Sequence, residues 1–174
     1  MHRLSTKQLT FTALLAAVYA LLTVTLPIPQ FSGVQIRFAE ALTVLPFLFP
    51  AAAPGLVVGC FIANLFSPFP LDMVFGTFAT LLACLVTYKL RNIRFKGLAV
   101  AASLPPVLFN AVIIGIEIAV MFPDPTSSAP IWLACITNGI SVGIGELISC
   151  TVLGVLLVKI IESSKALNEL FAAE

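Results

Sequence analysis

Eight side chains able to do chemistry stand within apolar runs or at their mouths: Arg37, Glu40, Asn64, Asp72, Asn110, Glu117, Asn138 and Glu146. Glutamate carboxylates accept hydrogen bonds from N–H donors, and their two oxygens match two adjacent donors. A guanine-like edge, with a ring N–H beside an exocyclic amine, offers that pair, and asparagine answers a carbonyl or a ring nitrogen. Phe31, Phe38, Phe109 and Trp132 are candidate stacking surfaces, although Trp132 reads equally well as an interfacial belt residue. The same groups would accommodate a protonated amine or a thiamine-like cation. Plainer readings stand beside these. Glu117 and Glu146 each read also as a hydrogen-bonded structural carboxyl, Arg37 and Glu40 as an i, i+3 pair, and Asp72 as a helix cap, while Asn64 reads either way. Of the first pair, Glu40 is expected to face the pocket and Arg37 to hold structure.

The elements that position these groups follow from composition. Only 10% of the 174 residues are charged and 60% are hydrophobic, with a mean hydropathy of +1.10. Soluble domains carry about 25% charged residues, and several runs here approach the roughly 20 apolar residues that cross a bilayer. The class is an integral membrane protein. A β-barrel is excluded because the runs are continuously apolar rather than alternating. Cys60, Cys84, Cys135 and Cys150 lie inside apolar runs without metal-ligand spacing, and read as small hydrophobes. The opening Met1-His2-Arg3-Leu4-Ser5-Thr6-Lys7 resembles a signal n-region, but the segment after it is long enough to span and reads as a retained first helix.

The fold expected is all-α: a single domain over 1–174 with six transmembrane helices at about 8–26, 37–49, 53–66, 71–88, 98–121 and 131–161. Pro27 and Pro29 end the first helix, and Pro46, Pro50 and Pro54 break the block 38–66. Charge decides how that block is read. Basic residues favour the cytoplasmic side, and Lys89, Arg91, Arg94 and Lys96 share a side with Arg3 and Lys7 only if the block crosses twice or not at all. Two short helices are the expectation and a re-entrant loop the alternative. Both termini are then cytoplasmic, and Arg37 is the one exception among nine Lys and Arg. At about 1.5 Å of depth per residue, the polar groups gather in the outer half, as in a pocket loaded from outside. Asn110 and Glu117 are seven apart, and Asn138, Val142 and Glu146 step by four, so a cavity between the last two helices is expected.

Missing chemistry narrows the field. There is no G-x-x-x-x-G-K-[ST] and no H-E-x-x-H, and the one histidine is His2. No Ser-Lys or Asp-Asp pair shares a convincing helix face, so an enzyme is not expected. The inner half carries no continuous polar path for a channel. Ala13 and Ala17, like Ala16 and Ala20, stand four apart on the first helix, and Gly139 and Gly143 on the last. Small residues at that spacing let helices approach closely, within the bundle or across to a partner.

Several blocks in order resemble the queuosine-precursor transporter (QueT) family: Gln35-Ile36-Arg37-Phe38-Ala39-Glu40-Ala41-Leu42-Thr43-Val44-Leu45-Pro46, Ile62-Ala63-Asn64-Leu65-Phe66-Ser67-Pro68, Leu71-Asp72-Met73-Val74-Phe75-Gly76, Pro105-Pro106-Val107-Leu108-Phe109-Asn110-Ala111 and Val142-Gly143-Ile144-Gly145-Glu146. The resemblance covers residues 5 to 160 or so. It implies a substrate-binding S component of an energy-coupling factor (ECF) transporter, taking up a 7-deazaguanine such as preQ0, preQ1 or queuine at the cell membrane. It implies partners too: a transmembrane coupling subunit and two ATPase subunits, where ATP acts, with no cofactor in this chain. It gives Ala13, Ala16, Ala17 and Ala20 a meaning as the face that meets the coupling partner. The substrate-contacting set expected from depth and chemistry is Glu40, Asn64, Asp72, Asn110, Glu117, Asn138, Glu146, Phe38, Phe109 and Trp132, with the connection 27–36 as a lid. An S component for another vitamin, an ion-coupled secondary carrier and a membrane scaffold are the rival readings.

Overall fold

The computed structural model describes residues 5–26, 36–123 and 129–165. The expected lid, apart from Ile36, lies outside them, as do Phe31 and Arg3. Helix α1 (Thr6–Thr25) opens on a capping box, in which the Gln8 N–H donates to Ser5 Oγ (3.2 Å) and the Ser5 N–H to Gln8 Oε1 (2.8 Å). A 3-10 helix (Phe38–Phe47) follows, then α2 (Ala52–Asn64), α3 (Asp72–Lys89) and α4 (Val100–Met121). The last rod is continuous but changes pitch: α5 (Ile131–Glu146), a π-helical segment (Leu147–Gly154) and α6 (Val155–Ser163). These make six helical rods, and no strand occurs among the described residues. Four rods are long and apolar enough to cross a membrane: α1, α3, α4 and the last rod.

The block 38–66 is two helical pieces parted by a turn at 48–51. Each is short. Thirteen α-helical residues reach about 20 Å, and ten 3-10 residues about the same at 2.0 Å each, against a hydrocarbon core of about 30 Å. The tighter coil thus gives ten residues the reach of thirteen. A 3-10 run of this length is uncommon, and its surroundings explain it. Ala39, Glu40, Ala41, Thr43, Val44, Leu45, Pro46 and Phe47 are all buried, and the segment packs against α1, α2, α3, α4, the π segment and α6. It is the central strut of the bundle.

Small residues let the rods close on that strut. A Cβ on Gly154 would lie 2.6 Å from Val44 Cγ2 and 3.1 Å from the Ala41 carbonyl oxygen. Gly55 and Gly59 bring α2 onto α1, where a Cβ would lie 2.3 Å from the Thr12 carbonyl oxygen and 2.8 Å from that of Ala16. Pro105 and Pro106 sit inside α4 without breaking it. Pro106 cannot supply the N–H that the Ala102 carbonyl would receive in an α-helix, and the Thr87 hydroxyl of α3 donates to that oxygen instead, at 2.9 Å. The prolines thus tie α3 to α4.

The two ends of the bundle differ in charge. Arg94 donates to Glu162 (2.6 Å), so the loop after α3 and the end of α6 share one end. Thr12 Oγ1 donates to the Ala51 carbonyl (2.9 Å) and Phe11 meets Phe49 edge-on, bringing the start of α1 and the turn at 48–51 together. The basic loop closes as a two-residue hairpin, with Lys96 (φ 50°) and Gly97 (φ 79°) both left-handed. At the opposite end Phe69 packs on Phe122 at 4.3 Å between ring centroids. Arg37 is the basic residue of that end among the described residues. The Arg94–Glu162 pair is part-exposed and on that ground contributes about 0–1 kcal/mol. The α1–α2 seam matters more: Gly55→Leu should lower stability by about 1–3 kcal/mol, read as an earlier thermal unfolding transition in detergent. An unchanged transition would mean that this seam is not close-packed.

Candidate functional site

The polar groups form two layers between the rods. The upper layer is built around Arg37, which is 3% exposed. Its backbone is extended (φ −97°, ψ 102°) at the N-cap of the 3-10 helix, so its side chain leaves the strut and crosses to α2 and α3. Nη1 donates to Asn64 Oδ1 (3.2 Å) and Nη2 to Asp72 Oδ2 (3.3 Å). Asp72 also receives the Ser67 hydroxyl at 2.6 Å. Asn64 Nδ2 donates to the Asp72 carbonyl oxygen (2.9 Å) and lies 3.3 Å from Cys60 Sγ. Glu117 of α4 faces this group beside Asp72. It is 4% exposed, its carboxyl lies within hydrogen-bonding reach of the Asp72 carboxyl, and no N–H or hydroxyl of the described residues reaches either of its oxygens.

The lower layer is built around Glu40. Tyr19 of α1 donates its hydroxyl to Glu40 Oε1, while Glu40 Oε2 is buried without a partner. The Glu40 carbonyl oxygen receives the Thr43 hydroxyl at 2.6 Å. Cys150 Sγ of the π segment lies 3.4 Å from that same oxygen and 3.2 Å from Glu146 Oε2. Asn110 of α4 faces the Glu146 carboxylate. Ser149 Oγ, on the π segment, is buried with no partner. Glu40, Glu146 and Cys150 hold ligand-type atoms within 4.8 Å of one another, the group among the described residues that could hold a metal ion.

This arrangement differs from the sequence reading in several places. Arg37 pairs with Asp72 and Asn64 rather than Glu40, and Asp72 serves as its counter-ion rather than only as a cap. On the Asn110 side of Glu117 the seam between α4 and α5 is close-packed, and a cleft between these helices lies on the other side, beside Ile118 and Asn138. A Cβ on Gly115 would lie 2.6 Å from Gly139 Cα, and one on Gly139 would lie 2.9 Å from the Ala111 carbonyl oxygen. The two helices close on each other there, so Glu117 turns toward Asp72 and Glu146 toward the strut. Asn138 is half-buried and does not join Glu146. It lines a cleft of about 460 Å³ between the end of α4 and the first half of α5, with Ile118, Phe122, Ala134 and Thr137. Phe38 and Phe109 are half-buried. Trp132 is 61% exposed, as an interfacial belt residue would be.

Glu40, Asn64, Asp72, Asn110, Glu117 and Glu146 are thus gathered, while Asn138 and Trp132 stand apart. Sequence reasoning missed Tyr19, Thr43, Ser67 and the polar use of two cysteines. Tyr19 carried a usable signal, since a hydroxyl in an apolar helix must find a partner. Cys150 stands four residues after Glu146 on the same face. Cys60 is 3.2 Å from the Thr80 hydroxyl, whereas Cys84 behaves as the small hydrophobe expected. The four alanines of α1 divide: Ala16 is buried under Gly59, Ala20 is half-buried, and Ala13 and Ala17 face outward.

Electrostatics gives the site its character. Among the described residues, four buried carboxyl groups (Glu40, Asp72, Glu117, Glu146) face one buried guanidinium. Buried charge without a partner is expensive, so the interior is short of hydrogen-bond donors and positive charge. Removing one partner of a buried ion pair costs about 3–5 kcal/mol. Arg37→Met and Asp72→Asn should each lose stability on that scale in detergent unfolding, and the double variant less than their sum. Strict additivity would show that the two side chains are not coupled.

No curated protein and no solved structure matches the chain. A sequence model described as that of the QueT transporter matches residues 9–163, from the first turn of α1 to the last residue of α6. With four apolar rods able to cross a membrane and buried polar layers between them, the chain belongs to the QueT transporter family.

Proposed function

We propose that this chain is the substrate-binding membrane subunit of an energy-coupling factor transporter, taking up a queuosine precursor of the 7-deazaguanine class. The observation that carries the reading is the donor deficit of its interior. The lower-layer carboxylates are short of donors, with Glu40 Oε2 buried without a partner, inside a chain of a transporter family. A purine-like edge supplies what they lack: adjacent N–H donors matched to a carboxylate, and a carbonyl matched to an asparagine amide. Glu146 and Glu40 on one side and Asn110 on the other form the set for that edge. Asn64, Asp72 and Arg37 hold the strut in place above it, and Phe38 and Phe109 supply apolar surface.

In this reading the basic end is cytoplasmic, all six rods cross the membrane, and both termini lie inside. The chain is one domain, and the polar layers open toward the outside. It makes no covalent step of its own. Energy comes from ATP hydrolysed on two partner chains and reaches this subunit through a shared transmembrane partner. Ala13 and Ala17, outward on α1, form the smooth face on which that partner docks, with Ala20 at its margin. Ala16 contributes from inside, by letting α2 close on α1.

Titrating the purified protein with queuine, preQ1 and guanine should give saturable binding. Glu146→Gln should weaken it by about tenfold or more, the worth of one charge-assisted bond. No saturable binding of any of the three would overturn the substrate assignment. Ala17→Trp should reduce recovery of the complex with the coupling subunit and leave ligand affinity unchanged. Equal recovery would reject the docking face, and uptake by this chain alone in liposomes would favour an ion-coupled carrier.

A further inference from the structure

Glu117 is not explained by recognition of the purine edge. It sits seven residues beyond Asn110 on α4, which places it about 10 Å further toward the outer end on the same face. Asn110 belongs with Glu146 in the lower layer, so Glu117 belongs to a second position, one layer up. There no N–H or hydroxyl of the described residues reaches either oxygen, and it is only 4% exposed. Its nearest charged neighbours do not satisfy it. Asp72 is a second carboxyl, which can share a proton with Glu117 but offers it no positive charge, and the guanidinium of Arg37 is directed to Asp72 and Asn64. Ile114, buried between Asn110 and Glu117 on that face, gives apolar surface from one layer to the other. Among the described residues, the upper layer alone thus holds two carboxyl groups against one guanidinium.

We infer that Glu117 is a specificity residue that receives a protonated amine on the arm of the deazaguanine, at the opposite end from the edge held in the lower layer. This rests on the deazaguanine reading above and goes further, because it divides the class. A ligand with a 7-aminomethyl group places an ammonium beside Glu117 and completes the charge balance of the upper layer. A 7-cyano ligand offers only an acceptor to a carboxylate that already lacks donors. The site therefore selects amine-bearing precursors, preQ1 and queuine, over the nitrile preQ0. Separation of the two roles follows from the layers: the lower set reads the base, and Glu117 reads the arm.

The test compares preQ1, preQ0 and 7-methyl-7-deazaguanine, a neutral ligand with an arm of similar size, on the purified full-length protein and on Glu117→Gln. Wild type should bind preQ1 about ten- to a hundredfold more tightly than either neutral ligand. Glu117→Gln should erase that preference by weakening preQ1, with preQ0 kept within about twofold. The wild-type comparison with the methyl ligand stands without any variant. Wild type that binds preQ1 no more tightly than preQ0 overturns this inference alone. So does a Glu117→Gln variant that weakens all three ligands equally. If none of the three binds, the deazaguanine reading falls and this inference with it.

Discussion

One cation in an acid-rich interior sets the terms for the rest of the structure. The Arg37 guanidinium lies in an apolar bundle where it must be answered, and it is answered by Asp72 and Asn64 from two other helices. Three separate pieces of chain, the strut, the end of α2 and the start of α3, therefore converge on one point. Ser67 and the Asp72 carbonyl complete the hydrogen bonds of that point. With the strut anchored there, Glu40 is carried to a fixed depth, where Tyr19 and the π segment can reach it.

The strut and the π segment are two departures from α-helical pitch that face each other. One coils more tightly and gains reach; the other coils more loosely. They touch where Gly154 admits Val44, and Cys150 bridges from the π segment to the strut carbonyl of Glu40 and to Glu146. π-helical turns are often found at functional sites. Here the turn begins immediately after Glu146, the carboxylate proposed to read the base.

Much of this was legible in the sequence, for a physical reason. In a chain of this hydropathy each internal polar residue is an exception, so type alone singled out Glu40, Asn64, Asp72, Asn110, Glu117 and Glu146. Proline positions and apolar runs gave the rods and the break in the block 38–66. Pairing was not legible. The i, i+3 rule for Arg37 and Glu40 presumes that both stand on one helix, and Arg37 is an extended N-cap. The 3-10 and π pitches were not legible either, because they follow from tertiary packing rather than from local propensity. Nor did spacing on α4 and α5 reveal that Gly115 and Gly139 would close the seam and turn the two glutamates away from each other. By sequence Tyr19 reads as one more large residue in an apolar helix, although its hydroxyl is what reaches Glu40.

The π segment also governs the phase of the last rod. A looser coil accommodates residues that a regular α-helix would place elsewhere, and each residue of an α-helix turns the chain by about 100°. Loss of a single residue between Leu147 and Gly154 would leave Glu146 where it is and rotate everything after it. Glu162 would swing away from Arg94, and Val158 and Ile161 would leave the core for the surface. The rod thus behaves as two helices in different phases, joined by a slack turn. Its first half is indexed to the polar layers and its second half to the basic loop.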